Sequence, residues 1–290
     1  QPPPIVSVDQ EGGRVQRLRA PLTVWPPMAR VATHEAEAHA VGQAVGAELR
    51  PLGFNLDFAP VLDVHTNPQN PIIGDRAFGT EPEAVARRAL AFWRGLEDAG
   101  LRGCGKHYPG HGDTAQDSHL TLPRVDRSFA ELRAVELLPF AAAARAGMGM
   151  LMTAHVVYPA VDDQPATLSR RWLRDLLRGE LGFSGVVLSD DLDMAAVATR
   201  DVGEVIVESL LCGCDAFLLC RDQDRQARAE EALRRAAERD PAVRARLEDA
   251  AARLDRFRQT LAPARPARTP RLPDEVLRRH AALAELLRQP

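Results

Sequence analysis

Lysine is almost missing from this 290-residue chain: Lys106 stands alone against thirty-six arginines. A chain that writes its cations as Arg and keeps one Lys has a place where a compact ammonium serves and a planar fork does not. Long apolar runs are missing too, and with no stretch of eighteen apolar residues nothing reads as a membrane-spanning helix. There is no basic surplus. The formal net charge is −3 and the pI is near 6.3, so no global field points to nucleic acid. The Arg-rich stretches near 223–272 are balanced by Asp and Glu and read as solvated helix faces. Cysteine is sparse, at 104, 212, 214 and 220. Cys212-Gly-Cys214 lacks zinc or thioredoxin spacing, which leaves buried free thiols of a reducing compartment as the expectation. Neither Ser7 nor Ser189 sits in a G-x-S-x-G elbow, which argues against a serine hydrolase. The Gly-rich stretches 12–13 and 103–112 fit neither the P-loop nor the dinucleotide fingerprint.

What is present is an apolar fraction of 45%, enough for a large core. The first residue is Gln rather than Met, so the chain reads as a fragment or processed form whose start says nothing about targeting. Short apolar runs at 5–9, 54–60, 103–107, 148–155, 185–189 and 216–220 read as strands. Helices are expected between them at 33–50 (Thr33 as cap), 80–98 (a Thr80–Glu83 capping box), 128–146 (a Ser128–Glu131 box), 169–178 and 202–212. Only helices follow: 223–238, a second from Asp240-Pro241 to about 261, and 274–288. Val243, Leu247, Leu254, Phe257 and Leu261 form one apolar stripe, expected to pack on the body.

Strand–helix alternation with acids and histidines at strand carboxyl ends predicts the α/β class and a (β/α)8 TIM-type barrel. A doubly wound sheet shows the same alternation. The barrel is favoured because candidate residues follow five different strands. Six strands are counted where eight are needed, so the first strand or strands are expected to be missing. Residues 1–290 are expected to form a single barrel domain, with helices 223–288 packed on it.

Lys106-His107-Tyr108-Pro109-Gly110-His111-Gly112-Asp113-Thr114-Ala115-Gln116-Asp117-Ser118-His119 holds the only lysine and three of the eight histidines. Gly110 and Gly112 read as a mobile, permissive link between its two ends. Asp117 two residues before His119 can orient and stabilise an imidazolium, which suits a general acid near neutrality. A surface loop pair is the commoner origin of D-x-H. Asp190, Asp191 and Asp193 crowd the end of another strand, either as a polar loop with a helix cap or as a site with Asp190 as nucleophile. A metal site on His107, His111, Asp117 and His119 would have spacings that match no ligand pattern, so no metal is expected. Asp9 could grip a vicinal diol with Arg17 in support. Arg76 could bind ligand or brace a loop with Asp75.

Six motifs occur in order: VDQEGGRVQR (8–17), FAPVLDV (58–64), GDRAFG (74–79), KHYPGHGDTAQDSH (106–119), TAH (153–155) and LSDDLDM (188–194). Together they resemble glycoside hydrolase family 3, in its bacterial β-N-acetylglucosaminidase branch. Tyr108 stands where Phe is commoner, and Asp193 where a small residue is common. The resemblance implies a (β/α)8 barrel with Asp190 as nucleophile and His119 as acid/base in a dyad with Asp117. Asp9, Arg17, Arg76, Lys106 and His107 match positions that hold the terminal N-acetylglucosamine. The implied reaction is retaining hydrolysis of N-acetylglucosamine from muropeptides, without a cofactor, by a cytoplasmic monomer with no nucleic-acid or membrane partner. A histidine in place of a second carboxylate repels anions less, so a phosphorylase is the nearest alternative; a non-catalytic sugar-binding relative is another.

Overall fold

Short apolar stretches make short strands. In the computed structural model, which describes residues 2–31, 34–115, 122–263 and 272–289, parallel strands stand side by side in chain order. Ser7–Val8 pairs with Leu56–Asp57, which pairs with Arg102–Gly103. Cys104 N donates to the carbonyls of Asp57 and Ala59 at 3.0 and 2.9 Å. Val61 then bridges to Lys106, so the third strand runs on into Gly105–Tyr108. Met150–Thr153, Val186–Asp191 and Ala216–Leu218 follow in order. Crossover helices separate the strands, among them Glu35–Leu49, Pro82–Asp98, Leu137–Arg145 and Val202–Cys212. Parallel strands joined this way form the TIM-barrel-type α/β fold. Among the described residues the arc has six strand positions, and no ladder joins Ala216–Leu218 to Ser7–Val8.

Alternation along each strand sorts its side chains. Met150, Met152, Val186 and Leu188 turn inward with Leu56 and Cys104, while Leu151 and Val187 join the larger cluster against the helices. Phe257, near the end of helix Pro241–Gln259, enters the inner cluster with Leu261 just beyond it. Val243 packs with Leu210 and Leu247, so the C-terminal apolar stripe lies against the body. The last helix, Asp274–Leu286, docks through Ala284 and through His280, whose Nδ1 is 2.8 Å from Glu48 Oε1. No helix among the described residues is long and apolar enough to cross a membrane.

Helix ends show where local signals succeed. Asp240 accepts from Ala242 N at 2.8 Å, and Ser128 with Glu131 forms the expected capping box. That helix stops at Ala134 and restarts at Leu137 instead of running through to 146. Thr80 is not a cap: Glu81 holds the cap position of Pro82–Asp98, and its side chain makes no capping bond. Thr33 lies outside the described residues, and His34 caps Glu35–Leu49.

Candidate active site

The site begins with a tight hairpin, Gln10–Gly12 against Val15–Gln16, directly after the first strand. Gln10 turns into the fold, donating its backbone N–H to Asp57 Oδ1 at 3.0 Å and its side-chain amide to Leu18 O at 2.8 Å. Gln16 donates to Thr23 O at 2.7 Å and accepts from Trp25 N at 3.0 Å. With both glutamines anchored inward, Asp9 and Glu11 are free to meet cations from other strands.

Lys106 supplies the nearest one. Its ammonium lies 2.8 Å from Asp9 Oδ1 and 2.6 Å from Glu11 Oε1, buried between the two acids. Glu11 also accepts from Arg76 Nε and Nη2, both at 2.8 Å. The buried Glu11 and the half-buried Asp9 thus neutralise two buried cations, as charges taken out of water require. Burial alone would lower the Lys106 pKa, but Glu11 and Asp9 outweigh it and hold the ammonium above its ordinary range. Burial would likewise raise Glu11, and Lys106 with Arg76 overrides it, leaving that carboxyl at about 2. A slender ammonium fits between two carboxylates, which answers why the one lysine is here. Arg76 does not brace Asp75, which pairs with Arg14 at 3.4 Å instead. Arg17 stays largely exposed and reaches Asp9 Oδ2 only at 3.5 Å.

A second acid organises the histidines. Asp63, fully buried, takes His107 Nδ1 at 2.7 Å, His107 N at 3.2 Å and His111 N at 2.8 Å. The bond at Nδ1 leaves Nε2 as the remaining polar atom of the His107 ring. Burial, helped by the nearby His107, pushes the His111 pKa down to about 4. The glycines beside these rings are not the mobile link expected from their spacing. Gly110, at φ +138°, packs on Glu136, and a Cβ at Gly112 would collide with the Val64 carbonyl. Both are buried, and their value is close backbone approach. Arg127 then grips Asp113 through two bonds of 2.7 Å.

Asp190 arrives at the end of Val186–Asp191, its Oδ1 accepting from Asp191 N at 2.8 Å. Behind it, His155 Nε2 lies 3.1 Å from Asp191 O and Nδ1 lies 2.8 Å from Thr167 Oγ1. A carbonyl only accepts, so the neutral ring carries its proton on Nε2 and accepts from Thr167 at Nδ1. Burial lowers the pKa of this histidine, which suits that neutral form.

Asp9, Arg17, Arg76, Lys106, His107 and Asp190 all line one cavity of about 310 Å³ at the carboxyl ends of the strands. Asp117 and His119 lie outside the described residues. Glu11 and Asp63 escaped sequence reasoning; each sits inside a quoted motif, and only its buried partners reveal its part. Among the thiols, Cys104 and Cys214 are buried as expected, whereas Cys220 is exposed and borders the cavity.

The glycosyl hydrolase family 3 N terminal domain matches residues 1–257. A beta-hexosaminidase of Neisseria meningitidis serogroup C is 45% identical over 230 residues, 76% of this chain and 63% of the relative. One from Pseudomonas aeruginosa is 45% identical over 239 residues, 81% of this chain and 71% of its own length. The chain therefore spans under two thirds of the Neisseria relative it matches. Among solved structures, a family 3 beta-N-acetylglucosaminidase from Paenibacillus sp. superposes with a TM-score of 0.87 at 38% identity, over 98% of this chain and 56% of that one. NagZ from Neisseria gonorrhoeae superposes with a TM-score of 0.79 at 36% identity, over 99% and 82%.

Proposed function

The chain belongs to glycosyl hydrolase family 3, and on that premise we propose that it is a retaining exo-β-N-acetylglucosaminidase. Its substrates would be muropeptides in which N-acetylglucosamine is joined to 1,6-anhydro-N-acetylmuramic acid, cleaved in the cytoplasm by a monomer whose residues 1–290 act as one barrel domain. The observation that carries the reading is the gathering of Asp190 and the five expected sugar-binding residues around one cavity.

In the first half-reaction an Asp190 oxygen attacks the anomeric carbon through an oxocarbenium-like transition state. The bond to the leaving oxygen breaks, and that oxygen takes a proton from His119. In the second half, His119 removes a proton from water as the water oxygen adds to the anomeric carbon and the Asp190 carboxylate departs. Asp117 orients His119 and stabilises its charged form. Lys106, Asp9 and His107 offer the donors and acceptors that fix sugar hydroxyls, on positions made rigid by Glu11 and Asp63. Such rigidity is what converts binding into a well-aimed attack.

A chromogenic β-N-acetylglucosaminide tests the reading. Turnover is expected, with loss of about 10⁴-fold or more in Asp190→Ala. For His119→Ala the loss should be larger on substrates with poor leaving groups, which need the proton. A purified protein that turns over no such glycoside overturns the proposal. Product analysis with and without phosphate separates hydrolysis from phosphorolysis.

A further inference from the structure

The cavity has a cation that the sugar chemistry above does not use. Arg221 lines it, as Asp190 and Asp191 do, three residues beyond the end of the strand Ala216–Leu218. Its backbone is held there: Cys220 N donates to Asp191 Oδ1 at 3.2 Å, and Arg221 N donates to Asp193 Oδ2 at 3.0 Å. The acids within its own loop have other duties. Asp193 is paired with Arg225 Nε at 2.8 Å. Asp222 caps the helix Gln223–Arg239, accepting from Asp224 N at 2.9 Å and from Arg225 N at 3.1 Å. Among the described residues, no hydrogen bond or ion pair engages the Arg221 guanidinium, and the side chain is exposed at the cavity mouth.

An unspent arginine is out of place beside a reacting N-acetylglucosamine. That sugar carries no charge, and its ring develops positive charge in the transition state, which a neighbouring guanidinium opposes. An anion brought in by the substrate would remove the conflict, and a carboxylate matches the guanidinium fork bidentately. The buried end of the cavity, with Lys106 and His107, is the end that the proposed reading assigns to the sugar. The anion therefore belongs at the mouth, on the group that departs with the glycosidic oxygen.

We propose that Arg221 determines specificity for a leaving group bearing a carboxylate, by pairing with that carboxylate at the mouth of the cavity. The inference rests on the N-acetylglucosaminidase reading of the same site. It predicts that binding is ranked by leaving-group charge and that this ranking resides in one exposed side chain.

Two non-hydrolysed ligands test it by calorimetry: phenyl and meta-carboxyphenyl thio-β-N-acetylglucosaminides. The protein should bind the carboxylated ligand about tenfold more tightly, the scale of a single partly exposed charge-assisted contact. Added salt should shrink that ratio. Arg221→Ala should abolish the preference while leaving the Kd of the neutral ligand within about twofold, since the side chain is not assigned to the sugar. Equal binding by the unaltered protein, or a preference that survives in Arg221→Ala, overturns the proposal and leaves the glycosidase reading standing. Failure of both ligands to bind overturns the two together. Phosphate-stimulated turnover that depends on Arg221, without any carboxylate preference, assigns the guanidinium to an attacking oxyanion and also overturns it.

Discussion

Lys106 Nζ lies 2.6 Å from Glu11 Oε1, with both side chains almost wholly buried. Because Glu11 also holds two nitrogens of Arg76, it is the acid on which both buried cations depend. Glu11→Gln keeps the shape and removes the charge, leaving Lys106 with Asp9 as its one paired acid and Arg76 without its carboxylate partner. The expected cost is about 3 kcal/mol in urea unfolding at pH 7.

That cost has a pH signature. The Glu11 carboxyl is held at about 2 against its ordinary 4.5. A lowered folded-state value stabilises above the unfolded value and is lost as pH falls through the folded one. The stability gap between the unaltered protein and Glu11→Gln should therefore be full above about pH 4.5 and should close as pH approaches 2. A gap that stays constant with pH would show that something other than the ionised carboxylate is lost.

Asp57 predicts the opposite trend. Fully buried, it is pushed up to about 8, because burial outweighs the lowering by the Gln10 amide and Lys106. A raised folded-state value means that stability is complete below the unfolded value near 3.8 and is lost as pH climbs towards 8. Asp57→Asn retains an acceptor for Gln10 N and has no charge to bury. It should gain on the unaltered protein by about 3 kcal/mol between pH 5 and pH 8, measured by urea titration at each pH.

Asp63 is expected to act through His107. It fixes the ring at Nδ1 and holds two backbone amides. Asp63→Asn replaces one carboxylate oxygen with a donor that the ring N–H cannot use. We expect kcat/KM on a chromogenic β-N-acetylglucosaminide to fall about 10²-fold through misplacement of His107. A variant with unchanged kcat/KM would remove Asp63 from the positioning machinery.

Gly112 sits against the Val64 carbonyl, so Gly112→Ala must displace backbone. The expected loss is about 2–3 kcal/mol in unfolding free energy, as for overpacked core sites. A neutral result would mean that the 64–66 segment yields without cost.

The sequence by itself determined the strands and helices of this protein, because short apolar runs and capping are local: runs such as 150–153 and caps such as Asp240 depend on neighbours a few residues away. It also made Lys106 and Asp190 stand out, one by rarity and one by its place at a strand end. The helix expected over 128–146 broke at Glu136, and Gly112 proved to serve close packing rather than mobility, because both depend on what the segment meets in space. Tertiary structure alone decided which charges meet. Lys106 and Asp9 are 97 residues apart in the chain, and Asp63 and His107 are 44 apart. The cations that hold the Glu11 carboxyl near 2 and the burial that pushes the Asp57 carboxyl to about 8 exist only once the strands are side by side. Periodicity follows from backbone stereochemistry and is written locally. The strength of an ion pair follows from distance and lost water, which the folded chain alone supplies.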